Sequence, residues 1–281
     1  MQLPSPEQQI FHPLFEEKGI SCWMKRDDLI HPFVSGNKWR KLKPILELAK
    51  ERTCETLVSY GGAWSNHLIA LAAASAQLGI KSRGFVRGEL VNNPLLSLCK
   101  QFGMELEFVS RESFRQLREE NTQLVWKDQE LWIPEGANCD EGRRGMRSLW
   151  QELEQAYDVV MDSIGSGTSI RGLQLSKPKD TRLVGIMAVK DQSLAKRIEE
   201  EGVEVFSEFS RGGFAKMDEA LFEVCRAFSS KNGILLDPVY TGKQWMALLE
   251  LLRRDHFIPG QRILFIHSGG LAGWMSNPEQ R

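Results

Sequence analysis

The chain has 281 residues, 42% of them hydrophobic and 26% charged, with 36 basic against 37 acidic side chains for a net charge of -1. The length fits two domains or one large α/β domain, and the balanced charge gives no electrostatic case for nucleic acid or another polyanion as partner. No apolar run approaches the ~18 residues of a membrane helix, and Met1-Gln2-Leu3-Pro4-Ser5-Pro6 lacks the basic start and apolar segment of a signal peptide, so a cytoplasmic protein without a membrane partner is expected.

In chain order, a helical pattern follows Lys38 and carries Pro44 inside it, where proline must kink the helix or restart it. Thr56–Tyr60 reads as a buried strand running into Gly61-Gly62, followed by a helix with Ile69, Ala72, Ala73 and Ala76 on its apolar face. Further strands are expected at Lys81–Val86, Glu105–Val109, Asp158–Ser163, Arg182–Val189 and Arg262–His267, with a late helix whose apolar face is Trp245, Leu248, Leu249 and Leu252. Strands alternating with helices at this spacing predict an α/β fold of doubly wound parallel sheets. Junctions near Pro44 and near Gly142–Gly145 divide the chain into a larger unit, 1–43 with 144–281, and a smaller one, 44–143. A cleft between two such units is the usual place for a ligand.

Cys22, Cys54, Cys99, Cys139 and Cys225 are odd in number, widely spaced and free of C-x-x-C, as reduced thiols would be. The five histidines form no H-x-x-x-H pair, and no metal site is expected.

Five segments carry chemistry. In Ser35-Gly36-Asn37-Lys38-Trp39-Arg40-Lys41, the Ser-Gly-Asn turn points to a helix start with Lys38 in its first turn. The macrodipole disfavours a cation there, whereas an ordinary surface lysine would need no such setting. Partial burial beside Arg40 and Lys41 would lower the Lys38 pKa, as an imine-forming amine requires. Gly61–His67 is a strand-to-helix turn with Ser65 or Asn66 as N-cap, and the free N–H groups of such a turn suit a carboxylate. Gly165-Ser166-Gly167-Thr168-Ser169 also lies between strand and helix. It matches neither dinucleotide nor P-loop spacing, so a single phosphate group fits better than a dinucleotide and a Rossmann oxidoreductase is discounted. In Asp237-Pro238-Val239-Tyr240-Thr241-Gly242-Lys243, Thr241 reads first as a helix cap and second as a hydroxyl facing a ring nitrogen. The strand ending in His267-Ser268-Gly269-Gly270 delivers its carboxyl end to the same region.

In order and spacing these segments, with Lys25-Arg26-Asp27-Asp28-Leu29 and Ile133-Pro134-Glu135-Gly136-Ala137-Asn138, resemble the fold-type II pyridoxal-phosphate enzymes, the tryptophan synthase β-like group. Within that group the chain is similar to the family of D-cysteine desulfhydrases and 1-aminocyclopropane-1-carboxylate (ACC) deaminases. The resemblance implies a pyridoxal 5'-phosphate cofactor bound by the larger unit, a small amino-acid substrate and a homodimer. It makes Lys38 the Schiff-base lysine and gives Asn66 the cofactor's phenolic oxygen. Ser166, Gly167, Thr168 and Ser169 take the phosphate, and Thr241 takes the pyridine nitrogen. Ser65, with Asn66 and His67, takes the substrate carboxylate. Trp64, Phe214, Tyr240 and Ser268 line the substrate side.

Two departures bear on substrate. Trp64 stands where the family usually has Gln, and Phe214 stands near where deaminases have a second tyrosine. Thr241 and Ser268 are hydroxyls where ACC deaminases place a carboxylate and an aliphatic residue. A carboxylate would keep the ring nitrogen protonated and the electron sink strong, as opening an unactivated cyclopropane requires. A neutral hydroxyl suffices when a thiolate leaves. The expectation is therefore a lyase releasing pyruvate from D-cysteine, with ACC deamination or cofactor binding without turnover as alternatives. The D-preference rests on the resemblance alone.

Overall fold

The computed structural model describes residues 1–270 and 272–276. Its strands in chain order are β1 (Glu7–Ile10), β2 (Ser21–Lys25), β3 (Thr56–Gly61), β4 (Lys81–Arg87), β5 (Met104–Val109), β6 (Val125–Lys127), β7 (Glu130–Ile133), β8 (Val159–Ile164), β9 (Arg182–Met187), β10 (Glu204–Phe206) and β11 (Arg262–Ile266). The helices are α1 (Pro13–Glu17), α2 (Asn37–Glu51), α3 (Asn66–Leu78), α4 (Pro94–Gln101), α5 (Arg111–Glu120), α6 (Asp140–Met146), α7 (Ser148–Gln151), α8 (Thr168–Gln174), α9 (Gln192–Glu200), α10 (Glu219–Asn232), α11 (Thr241–Arg253) and α12 (Ala272–Ser276).

The strands form two sheets, one of six strands in the order β1-β2-β11-β8-β9-β10 and one of five in the order β5-β4-β3-β7-β6. All strands expected from sequence are present, with ends shifted by a residue or two. The sheets are mixed rather than wholly parallel, because β1 pairs with β2 and β6 with β7 in antiparallel fashion. Those edge strands are short and partly polar, so no apolar run announced them. β2 was hidden for another reason. It ends in Lys25, a residue with no exposure whose ammonium donates to the carbonyl of Ser5 at 2.8 Å and that of Glu152 at 3.2 Å.

Both sheets are buried on both faces, and the period-two alternation of side chains sorts residues between layers. Val159, Met161, Ile263 and Phe265 point into a core shared with α10 and α11, while Val160, Leu264 and Ile266 point into one shared with α8 and α9. In the five-stranded sheet, Leu57, Val86, Leu131 and Ile133 face α2, α3 and α4, and Val58, Tyr60, Phe85 and Trp132 face α5. α3 is buried from His67 through Ser75 rather than along one stripe, and Ala76, expected inside, is exposed near its end. The cysteines are all free and buried.

α2 neither restarts nor breaks at Pro44; it is one helix from Asn37 to Glu51. Proline has no N–H for the carbonyl four residues back, which here is that of Arg40. Gly145 of α6 packs onto that carbonyl, so closely that a Cβ at 145 would lie 2.0 Å from its oxygen. No helix among the described residues is long and apolar enough to cross a membrane.

Candidate active site

The carboxyl ends of β3, β8 and β11 open onto one cleft of about 1900 Å³. All the residues singled out from sequence line it except Thr241.

Lys38 comes into the cleft because α2 starts there. Gly36 precedes the helix with φ 61°, and a Cβ on it would sit 1.7 Å from the carbonyl oxygen of Ser268, so only glycine lets the turn press against the end of β11. The Asn37 N–H donates to that same carbonyl at 3.2 Å. The half-buried Lys38 ammonium donates to Asn37 Oδ1 at 2.7 Å, and Asn37 Nδ2 donates to Ser169 Oγ at 3.2 Å. One amide thus ties the lysine to the glycine/serine loop. Burial brings the Lys38 pKa down to about 8, against the pull of Asp162 and Asp237 in the opposite direction. The direction is the one expected, and of the two expected causes it is burial, not the cationic neighbours, that carries it. The Arg40 guanidinium is paired with Asp27 at 2.7 Å and Glu152 at 2.8 Å. Lys41 is 4% exposed and has no hydrogen bond or ion pair among the described residues, and burial beside Lys38 holds it well below the usual lysine range.

Ser65 caps α3, its Oγ accepting from the Leu68 N–H at 3.2 Å, and Asn66 follows it against the backbone of Gly270. The side chains of Trp64, Ser65 and Asn66 remain half-buried at the cleft wall. His67 is directed beneath them. Ser59 Oγ donates to the Ile133 carbonyl at 2.7 Å, so its 2.9 Å contact with His67 Nε2 has the ring as donor. Nδ1 then carries a lone pair without a partner, and burial lowers the pKa to about 3, so His67 is neutral.

Ser166 to Ser169 form the turn into α8, with Gly167 at φ 79°. Ser166 Oγ lies 2.8 Å from Thr168 Oγ1, which donates to Asn138 Oδ1 at 2.7 Å. Tyr240 crosses Gly165 and stands 6.2 Å, ring to ring, from Phe214, which is 58% exposed at the rim. The Thr241 hydroxyl turns away. It has no exposure, accepts from the Asp237 N–H at 2.8 Å and donates to the Asp237 carbonyl at 3.3 Å. In this arrangement Thr241 locks the turn before α11. Ser268, by contrast, faces the cleft with no side-chain hydrogen bond among the described residues. Beside it His267 accepts from the Gly269 N–H at Nδ1 and donates from Nε2 to Leu235, which fixes the turn. Asp237 lies at the same wall, one carboxyl oxygen held by the Tyr240 N–H, and burial raises its pKa to about 7.

Sequence reasoning passed over Asn37, Lys41, Asn138 and Asp237. The available signal was position: Asn37 adjoins the lysine, Lys41 is one helical turn on, and Asn138 and Asp237 sit in segments already marked. The donor set fits pyridoxal phosphate. An amine of lowered pKa, a serine/threonine turn at a helix start and an unpartnered buried lysine share one cleft.

Comparison with known proteins agrees. Residues 10–269 match the family model described as pyridoxal-phosphate dependent enzyme. A Thermotoga maritima protein, named provisionally as an ACC deaminase, is 31% identical over 96% of this chain and 95% of its own length. A D-cysteine desulfhydrase of Salmonella paratyphi A is 26% identical over 92% of this chain and 89% of its own. The crystal structure of an ACC deaminase homologue superposes with a TM-score of 0.83 at 26% identity, covering 99% of this chain and 93% of that one. The chain belongs to the fold-type II pyridoxal-phosphate-dependent enzymes, in the superfamily of ACC deaminases and D-cysteine desulfhydrases, whose chemistry is of the β-elimination type.

Proposed function

We propose that the protein releases pyruvate, sulfide and ammonia from D-cysteine. The observation that carries this reading is the Ser268 hydroxyl, which opens onto the cleft unpartnered while Thr241 is turned inward. When bound, pyridoxal phosphate supplies an electron sink for the bond broken at the substrate α-carbon. Lys38 would hold the cofactor through its amine and could serve as the base for the substrate α-proton, and a pKa of about 8 suits both roles. The N–H groups of the Gly61–Ser65 turn hold the substrate carboxylate. Ser166 to Ser169, with Lys41 beneath, hold the phosphate, and Asn66 holds the phenolic oxygen. Ser268 would offer the ring nitrogen a hydrogen bond without a charge, which does not by itself hold that nitrogen protonated. That favours departure of a thiolate over opening of a cyclopropane. Trp64, Phe214 and Tyr240 line the substrate side.

A pyruvate assay across D-cysteine, L-cysteine, D-serine and ACC tests this. D-cysteine should be the preferred substrate and ACC nearly inert; ACC is included because the Thermotoga relative carries that name. Comparable turnover of ACC would overturn the assignment, and no turnover of any would make the protein a cofactor-binding member without this activity. Lys38→Ala should fold normally yet retain no cofactor after borohydride treatment; labelling at another lysine would move the role away from Lys38.

A further inference from the structure

Beside the cleft lies a second concavity of about 370 Å³, lined by Arg87, Arg111, Phe114, Arg115 and Arg118. Arg87 is the last residue of β4. Arg111, Arg115 and Arg118 recur at i, i+4 and i+7 on α5, with Phe114 buried among them. The Arg87 guanidinium sits over the Phe114 ring at 5.6 Å, and Arg118 is 3.5 Å from Glu135. Arg87, Arg111 and Arg115 have no ion pair among the described residues. Arg87 and Arg118 also line the main cleft, and the Arg87 guanidinium comes within 3.9 Å of the Cβ position of Gly62, in the turn assigned to the substrate carboxylate.

A solvated helix face explains single arginines, but not this convergence. Like charges at helical neighbour spacing repel, and here four line one hollow with only Glu135 paired to any of them among the described residues, in a chain whose net charge is only -1. The cleft of about 1900 Å³ also exceeds the ~300–1000 Å³ of an ordinary small-ligand site, leaving room beyond cofactor and amino acid. Guanidinium forks match carboxylate and phosphate oxygens two at a time.

We propose that this arginine hollow is an anion subsite continuous with the active-site cleft, taking a carboxylate or phosphate group that lies beyond the amino-acid moiety. The anion is either the side-chain terminus of an acidic amino acid or a free small anion. The assignment of the amino-acid end rests on the function proposed above; the anion site itself does not.

Two probes of the holoenzyme separate the sources. Inorganic phosphate is titrated by calorimetry, and D-glutamate by the change in visible cofactor absorbance, with D-alanine as the control lacking a distal charge. Arg111→Gln/Arg115→Gln should weaken one or both acidic probes on the order of tenfold, as loss of hydrogen bonds to a charged group does, and leave D-alanine binding unchanged. Arg111→Lys/Arg115→Lys, which keeps the charge but not the fork, should fall between. Phosphate competing with D-glutamate but not with D-alanine assigns the subsite to the substrate's far end. Arginine-dependent phosphate binding without an effect on D-glutamate assigns it to a free anion. Equal affinity of both acidic probes for wild type and the Gln variant would overturn the proposal. Should no holoenzyme form, the cofactor reading falls, while the phosphate difference between wild type and variant still decides the subsite.

Discussion

At the residue scale, burial sets the chemistry of Lys38. Only a neutral amine attacks an aldehyde. Because burial disfavours the ammonium, the neutral fraction of Lys38 grows as pH rises through about 8 rather than through the ordinary 10.5. Cofactor uptake by apoprotein, followed by the appearance of colour after mixing, should therefore climb between about pH 7 and 9, with its midpoint near 8, and level off above. A rate still rising beyond pH 10 would mean an exposed, ordinary lysine. Thr241 and Ser268, equivalent hydroxyls in the sequence, have different work. Thr241→Ala strands the Asp237 N–H and should cost about 1–3 kcal/mol of stability, with unchanged turnover per folded molecule, whereas Thr241→Ser should restore most of the loss. Ser268→Ala should do the reverse, lowering kcat while melting near wild type. Melting curves beside kcat for the three variants check this, and a turnover defect confined to Thr241→Ala would return that residue to the site.

At the element scale, the cleft depends on how closely backbones approach. α2 can deliver Lys38 only if its leading turn touches the end of β11, and that contact leaves no space for a side chain at 36. Gly36→Ala should cost about 1–3 kcal/mol as overpacking does, and also weaken cofactor binding, because relieving the clash moves Lys38 from the Ser166–Ser169 turn. Gly79→Ala is the control: its φ is 68° but nothing lies within 4 Å of the added carbon. If both variants lose the same stability and neither loses cofactor affinity by equilibrium titration, the contact does not position the lysine. The same economy of space explains α2 and α6, where Gly145 covers the carbonyl that Pro44 leaves unbonded. A proline that reads as a junction in the sequence lies within a continuous helix.

At the scale of the whole molecule, the six-stranded sheet draws its strands from 7–25 and 159–266 and the five-stranded sheet from 56–133, and α2 lies between these stretches in sequence. Arg40 of α2, which is 1% exposed, anchors this arrangement by pairing with Asp27 and Glu152 and bonding Ser148 Oγ at 3.1 Å. Arg40→Met leaves Asp27 buried without its cation and should cost about 3–5 kcal/mol, measured by urea unfolding; a loss under 1 kcal/mol would show the network to be incidental. The sequence by itself determined the alternation of strand and helix, the order of the glycine loops and the lysine before them, because hydrophobic period and turn chemistry are local. Tertiary structure decided which hydroxyl faces the cleft, why Lys38 loses its proton readily, that Arg40 is a buried tie, and that Arg87 of β4 joins the three arginines of α5 at one hollow. Those properties depend on desolvation and on partners brought from elsewhere in the chain, and no local pattern records either.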